Sequence, residues 1–311
     1  MKKRIFFQLV LPLLCLFLLV ALLAFAPTWS RRQPALLEMS VILRESGGFA
    51  NARQGMEQAA ADLNVELRFL VPSADNSAAE QAQLLSHEVE ANASAILLIP
   101  ADREALAESV RAAASRAVLV TLETGMAEQG ARACVGTDNA ALGQALGQAV
   151  LNGVPSGGTV LLLHSAPGDN AVQERLEAAS AVLTGAGRKV AVQDAGGLDF
   201  QDALSRRPVD AILALEASAL EAASEAARYL EEFPLLYGAG STAAIAAGLE
   251  QSRVTAIAAQ NDFAAGYLAV ETAAGLARRR TVPPVKPLPF FILRQETMYA
   301  PENQKLLFPV T

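Results

Sequence analysis

The sequence is poor in the residue types that build disulfides and metal sites. Its 311 residues include only two cysteines and two histidines. Cys15 lies in the first hydrophobic segment, so Cys134 has no partner for a disulfide in the rest of the chain. His87 and His164 stand in no metal-ligand spacing. We therefore predict no metal site and no cofactor, and structural roles for both histidines.

Catalytic motifs and an excess of basic charge are also missing. The chain has no Gly-x-Ser-x-Gly motif and no phosphate-binding loop. The groups that an active site would combine are therefore absent, and we predict that the protein is not an enzyme. The net charge is −7 and the pI is about 5.1, whereas a nucleic-acid partner requires clustered Lys and Arg.

One long hydrophobic run, residues 5–26, contains no charged residue. As a helix it would extend about 33 Å, enough to cross a bilayer. The alternative is a cleaved signal peptide, since residues 24–26 have the small-x-small form of a cleavage site. The length of the run and Pro27 directly after it favour an uncleaved anchor. The basic residues at 2–4, with the terminal amine, outnumber those at 31–32, which predicts that most of the chain lies outside the cell membrane.

From residue 39 onward, strand and helix patterns alternate. Short apolar runs predict strands, and apolar residues at spacings of three and four predict helices. The predicted strands cover residues 39–43, 65–71, 95–99, 117–122, 132–136, 159–164, 189–193, 209–215, 235–238 and 254–259. Such alternation predicts parallel sheets with helices on both faces. About ten strands is the upper limit for one open sheet, so we predict two sheets, divided between residues 137 and 144.

The stretch 254–267 contains a candidate binding residue at the end of a predicted strand. Its apolar run stops at Gln260-Asn261-Asp262, after which apolar residues recur with helical spacing. Asn261 or Asp262 can cap that helix, which leaves Gln260 at the carboxyl end of the strand. Ligands of open α/β sheets bind outside those ends, and an amide both donates and accepts. A capping or loop role for Gln260 is the alternative.

Several stretches, in order, resemble the type I periplasmic binding proteins, the ribose- and galactose-binding family of solute receptors. They are Ser40-Val41-Ile42-Leu43 with Phe49 and Gly55, then residues 95–102, then Val135-Gly136-Thr137-Asp138-Asn139 with Gly143, and residues 260–267. The resemblance covers residues 39–311. It implies an α/β fold of two doubly wound parallel-sheet lobes joined by three hinge crossings, here preceded by one N-terminal transmembrane helix.

The family fold gives expected boundaries for the chain. After the anchor or signal segment (1–26) and a linker (27–38), lobe 1 would comprise residues 39–137 and 261–290, and lobe 2 residues 138–260 and 291–311. The crossings would lie at Thr137 and Asp138, at Gln260 and Asn261, and near residues 287–291.

The resemblance also implies a set of ligand contacts. Phe49 matches an aromatic that stacks on a sugar ring, Arg175 a ligand-binding arginine and Gln260 a ligand-binding amide, while Glu123 stands where the family has aspartate. Glu216 is an added acid. Each has an alternative: Phe49 as core, Arg175 on a solvated helix face, and Glu123 and Glu216 as loop or capping residues.

Three positions depart from the family pattern. Gly48 replaces an aromatic, Glu216-Ala217-Ser218 replaces an Asn-Asp pair, and Gly240 replaces an aspartate. We expect these changes to open the cleft or to lower its affinity for a simple monosaccharide.

The implied function is that of a monomeric extracytoplasmic receptor, anchored in the cell membrane through residues 5–26. It would bind a sugar or sugar-like polyol and present it to an ABC-type sugar permease. The alternative is a receptor that informs a membrane sensor histidine kinase. Residues 296–299 and 302–310 resemble the tail of membrane-associated members of the group. A DNA-binding repressor of the same fold is set aside, because the hydrophobic segment stands where its DNA-binding head would be.

Overall fold

A computed structural model describes residue 17 and residues 36–47, 49–282 and 287–308. Contacts divide the chain into two compact units, Met1–Leu36 and Leu37–Thr311, and all elements below belong to the second. Among the described residues, no helix is both long and apolar enough to span a bilayer. The anchor predicted over residues 5–26 lies outside them except for Phe17, and so does Gly48.

Strands and helices alternate through the second unit. The strands are β1 (Leu37–Ile42), β2 (Val65–Leu70), β3 (Ala95–Leu98), β4 (Val118–Leu122), β5 (Ala133–Val135), β6 (Thr159–His164), β7 (Lys189–Asp194), β8 (Ala211–Ala214), β9 (Leu235–Ala239), β10 (Ala256–Gln260) and β11 (Phe290–Leu293). The helices are α1 (Ala50–Leu63), α2 (Ala78–Glu90), α3 (Ala107–Ala114), α4 (Asn139–Leu151), α5 (Asn170–Gly185), α6 (Phe200–Arg206), α7 (Ala217–Ala226), α8 (Ala243–Glu250), α9 (Asp262–Ala277) and α10 (Pro301–Leu307).

The strands form two sheets, each the centre of one lobe. In lobe 1 the strand order is β2-β1-β3-β4-β5, and every pairing is parallel. In lobe 2 the order is β11-β10-β9-β8-β6-β7. All pairings there are parallel except that of the edge strand β11, which runs antiparallel to β10. The expectation of purely parallel sheets is thus wrong at this edge, where the chain enters the sheet from the opposite end.

Helices cover both faces of each sheet, as a doubly wound fold requires. In lobe 1, residues of α1 and α9 share one core cluster with the sheet, and residues of α2 and α3 share the other. In lobe 2, α4 and α5 pack on one face, and α6, α7, α8 and α10 on the other. The central strands β3 and β8 are buried along their whole length, which explains their uninterrupted apolar sequences.

The chain passes between the lobes at three places in the described residues: after β5, after β10 and before β11. Two of them end in a helix cap. The Asp138 side chain accepts from Ala141 N to start α4, and the Asn261 side chain accepts from Ala264 N to start α9. At the third, Leu288 N donates to Gly136 O at 2.8 Å, so two crossings lie side by side. The residue-level lobe boundaries and the hinge role of these residues stay predictions.

Two pairs of helices approach each other more closely than a side chain would allow. A Cβ on Gly266 of α9 would lie 1.9 Å from Ala52 O of α1. Likewise a Cβ on Gly143 of α4 would lie 2.4 Å from Arg175 O of α5. Glycine at position 143 therefore sets how closely the helix that carries Arg175 packs into lobe 2.

Candidate functional site

The carboxyl ends of strands from both sheets surround one cavity. Its lining includes residues that directly follow or end β1, β4, β8 and β10. The residues with polar side chains among them are Arg44, Glu45, Glu123, Thr137, Arg175, Glu216, Gln260 and Asp262. The cavity has about 40 Å³ of volume, room for about three water molecules.

Arg44, which follows β1, is the central cation of the site. Its side chain is 3% exposed and its Nη1 lies 2.7 Å from Glu123 and 2.8 Å from Asp169, while Nη2 lies 3.3 Å from Glu45. Burial by itself lowers the pKa of Arg44, but the charges of Asp169, Glu123 and Glu45 outweigh burial and raise it above the usual value. Arg44 is therefore a permanent cation. Its Nε is buried and has no hydrogen-bond partner among the described residues.

Glu123 sits on an unusual backbone. Its φ is +66°, the left-handed region that residues other than glycine rarely adopt. Its amide donates to Val135 O at 2.9 Å, and Gly136 packs against its Cα, so neighbouring strands hold this conformation. Burial opposes its charge, but Arg44 and Arg175 more than offset burial, and the pKa of Glu123 is lowered. Backbone strain of this kind is concentrated at functional sites.

Arg175 lies on the inner face of α5 and is 3% exposed, which excludes the solvated helix face as its location. Its Nε donates to Asn139 Oδ1 at 2.9 Å, and its Nη1 donates to Leu215 O at 3.0 Å. These two bonds fix the plane of the guanidinium against the wall of lobe 2. Two of its five N–H groups are used in this way, which leaves one on Nη1 and both on Nη2 for other acceptors.

Glu216 follows β8 and is 2% exposed. It precedes α7 but makes no side-chain cap, so the capping alternative is wrong. Instead its Oε1 accepts from the Ser165 amide and, at 2.8 Å, from the Ser165 hydroxyl. Its Oε2 is buried and has no hydrogen-bond partner among the described residues. Burial raises the pKa of Glu216 despite the bonds from Ser165.

Gln260 ends β10 and is half-buried in the cavity wall beside Asp262. Ser241 Oγ donates to Asp262 Oδ2 at 2.6 Å. Burial raises the pKa of Asp262 to about 6, although the bonds from Ser241 and Gln260 favour its charged form. Asn261, not Asp262, caps α9, which leaves Asp262 free to line the cavity.

Phe49 combines the two roles that the sequence left open. It lines the cavity, and it is also 8% exposed within a core cluster of lobe 1. The Arg44 guanidinium lies 4.9 Å from the centre of its ring. A cation therefore covers the ring here, in the way that an aromatic attracts a guanidinium.

The backbone and the neighbours of Gly240 leave no room for an aspartate. Its φ is +140°, and a Cβ there would lie 2.6 Å from Ile245 Cδ1. An aspartate would be strained at this backbone conformation and would collide with α8. The local structure has thus adapted to glycine.

The sequence did not lead us to predict four charged residues of the site: Arg44, Glu45, Asp169 and Asp262. Arg44 and Glu45 lie two and three residues after the end of β1, so the rule that singled out Gln260 at a strand end also pointed to them. The only signal for Asp169 in the sequence was its position before a helix, which indicates a cap. It does cap α5, since its side chain accepts from Ala171 N at 2.9 Å.

The chain matches the family profile of the periplasmic binding protein domain over residues 39–281. It belongs to that family. It is therefore a solute-binding domain of extracytoplasmic type and not an enzyme. None of the curated proteins compared with the chain matches it.

Solved structures that share this fold include two solute-binding proteins with bound sugars and XylFII. A carbohydrate transporter solute-binding protein from Agrobacterium radiobacter, in complex with D-arabinose, is 19% identical with a TM-score of 0.80, covering 88% of this chain and 99% of that one. An ABC transporter solute-binding protein from Agrobacterium vitis with bound D-fucose is 18% identical with a TM-score of 0.81, covering 87% and 100%. XylFII, in a complex with LytSN, is 17% identical with a TM-score of 0.76, covering 85% and 99%.

Proposed function

We propose that this protein binds a sugar or sugar-like polyol in the cavity between its lobes. One observation carries the proposal: two residues that line the cavity each hold a buried polar atom, one a donor and one an acceptor, that has no hydrogen-bond partner among the described residues. They are Arg44 Nε and Glu216 Oε2. Buried polar groups without partners cost free energy, and a hydroxyl can satisfy either kind because it donates and accepts.

The other candidate residues suit the same ligand. Arg175 and Glu123 can each engage neighbouring hydroxyls, and the Gln260 amide can donate to one hydroxyl while it accepts from another. Phe49 can cover the C–H face of a sugar ring if the Arg44 guanidinium moves away from it. Ligand contact by these residues is part of the proposal.

Binding requires the lobes to separate first. A cavity with room for about three water molecules is smaller than a hexose. The crossings after β5 and β10, with the predicted hinge residues Thr137, Asp138, Gln260 and Asn261, would take up the rotation while each sheet stays rigid.

The proposed task is to present the solute to an ABC-type sugar permease from the outer side of the cell membrane. The similarity to the Agrobacterium solute-binding proteins supports this role. The hydrophobic run at residues 5–26 would hold the receptor beside the permease.

A thermal-shift panel on the full chain in detergent tests the binding function. We expect at least one pentose, hexose or cyclitol to raise the melting temperature, because a ligand that binds only the folded state stabilises it. The Arg175→Lys variant should lose that shift, whereas Arg53→Lys, at an exposed residue of α1, should keep it. Absence of a shift with every sugar and polyol would overturn the proposal.

The alternative output is sensing, and the fold similarity to XylFII, solved in a complex with LytSN, supports retaining it. A receptor held in the membrane can reach a sensor histidine kinase as readily as a permease. Cross-linking in native membranes followed by mass analysis separates the two. Permease subunits among the products favour transport, and a kinase without permease subunits favours sensing.

A further inference from the structure

The cavity has more acidic than basic side chains, on both of its walls. The guanidiniums are Arg44 and Arg175, and the carboxylates at or directly behind the lining are Glu45, Glu123, Asp169, Glu216 and Asp262. Arg44 already forms ion pairs with Glu45, Glu123 and Asp169. Glu216 and Asp262 are hydrogen-bonded to hydroxyls and form no ion pair among the described residues.

Two of these acids line the same cavity from opposite lobes. Glu45 follows β1 in lobe 1 and Glu216 follows β8 in lobe 2, and each is at most 4% exposed. Burial raises the pKa of Glu45 to about 7, the Arg44 charge opposes this, and the nearby Glu216 charge raises it further. With the lobes together, two carboxylates therefore repel each other across the cavity.

One oxygen of this pair is available to a ligand. Glu216 lines the cavity, and its Oε2 is buried and has no hydrogen-bond partner among the described residues. Ser165 supplies both bonds to the other oxygen, so the free oxygen is held in place. A carboxylate oxygen can only accept, and a charged donor makes the stronger bond to it.

We propose that the ligand is a polyol that carries a positive charge, an amino sugar or aminocyclitol, whose ammonium lies between Glu216 and Glu45. This inference rests on the proposed function, because the hydroxyls of the ligand would use the contacts described there. The ammonium removes the repulsion between the two acids and gives Glu216 Oε2 a charged donor. Arg44 and Arg175 bind hydroxyls of the same ligand.

The charge of the ligand makes binding depend on pH. The groups that act on the acid pair are Arg44, Arg175 and Glu123, with Ser165 and Ser218 as hydrogen-bond donors. Burial raises the pKa of both Glu45 and Glu216, so these residues hold protons more tightly than ordinary glutamates. An ammonium favours their charged forms, so binding releases protons and the affinity rises with pH until the amine itself loses its proton.

Matched ligands that differ only in charge test the proposal. The full chain in detergent is titrated by calorimetry with glucose, 6-amino-6-deoxyglucose and glucuronate, and with the corresponding galactose series and the two 2-amino-2-deoxy sugars. We expect the tightest binder to be a cation, roughly tenfold or more above its neutral counterpart near pH 7.5, which corresponds to about 1.4 kcal/mol. The preference should shrink near pH 5, and buffers of different ionisation heat should reveal proton release.

Two variants locate the effect. Glu216→Gln and Glu45→Gln keep the size of the side chain and should each lower the ratio of the affinity for the cation to the affinity for its neutral counterpart to nearly one. Glu57→Gln, at an exposed residue of α1, is the matched control and should leave it unchanged. A neutral or anionic sugar as tightest binder overturns the inference and leaves the proposed function standing. Absence of binding by every member of the panel overturns both.

Discussion

Arg44 of lobe 1 and Asp169 of lobe 2 form an ion pair of 2.8 Å that joins the two lobes beside the cavity. Their side chains are 3% and 1% exposed. Thr124 of lobe 1 strengthens the same connection, since its hydroxyl donates to Asp169 Oδ1 at 2.8 Å. The protein's own side chains thus hold the lobes together at this point. In the proposed binding mode, a ligand must compete with this pair before it can enter.

The Asp169→Asn substitution should weaken closure. The asparagine can still cap α5, but the charge partner of Arg44 across the cleft is lost. Removing one member of a buried ion pair costs about 3–5 kcal/mol, and the lower end applies because Glu45 and Glu123 remain beside Arg44. We expect a loss of about 3 kcal/mol in the free energy of unfolding by denaturant, and a larger radius of gyration by small-angle X-ray scattering.

The exposed pair Glu225 and Arg228 provides the control for that experiment. Its side chains are about half exposed, so Glu225→Gln should have little effect on the stability and leave the scattering unchanged. Scattering of Asp169→Asn that is indistinguishable from the parent would contradict a role for this pair in closure.

The Arg175→Lys substitution should separate binding from folding. Lysine keeps the charge but cannot reproduce the planar donor set that bonds Asn139 and Leu215 while leaving Nη2 for a ligand. Hydrogen bonds to charged groups contribute about 1.5–3 kcal/mol, so the affinity for the best ligand of the panel should fall roughly 10- to 100-fold by calorimetry. An unchanged affinity would remove Arg175 from the site.

The sequence was sufficient to predict most of the architecture, for physical reasons. Fully buried central strands such as β3 and β8 are uninterrupted apolar runs, and the caps Asp138 and Asn261 are polar residues directly before helical spacing. These signals are local. The antiparallel direction of β11 has no local signal, because it depends on which end of the sheet the chain reaches.

The site was harder to predict, because its energetics depend on contacts between distant segments. Arg175 and Glu216 could be placed at the cavity from their surroundings in the chain, but not the partners that hold them. That Arg44 covers the ring of Phe49 and pairs with Asp169 follows only from the closed arrangement of the lobes. The effect of Gly240 could not be predicted for the same reason, because the sequence does not show that this residue has a positive φ.

The Gly266→Ala substitution tests the close approach of α1 and α9. The new Cβ would collide with Ala52 O, a backbone atom that cannot rotate away, so the helices must move apart. Overpacking of this kind costs about 1–3 kcal/mol, and we expect the upper end in chemical denaturation. Gly185→Ala in α5 is the matched control, because a Cβ there meets nothing within 4 Å. It should be neutral or stabilise by up to about 1 kcal/mol. Equal stability of the two variants would contradict the close contact.

The stability of the protein without ligand should fall as the pH rises from about 5 to about 8. Burial raises the pKa of Glu45 to about 7 and that of Asp262 to about 6. A carboxyl whose pKa is raised by folding favours the folded state while it is protonated. That contribution is complete below the ordinary pKa and is lost as the pH passes the raised one. The lowered pKa of Glu123 acts in the opposite sense, but below this range.

Glu45 accounts for the largest part of this expected decline. The rise in the pKa of Glu45 from 4.5 to about 7 corresponds to a loss of up to about 3 kcal/mol in the free energy of unfolding. Urea denaturation of the full chain in detergent at several pH values measures it, with the parent compared to Glu45→Gln. The variant should give a flatter profile because its amide does not ionise, whereas Glu57→Gln on the exposed face of α1 should follow the parent. A parent profile that rises over this range would mean that ionised Glu45 is stabilised in the cavity, and that Arg44 outweighs its burial.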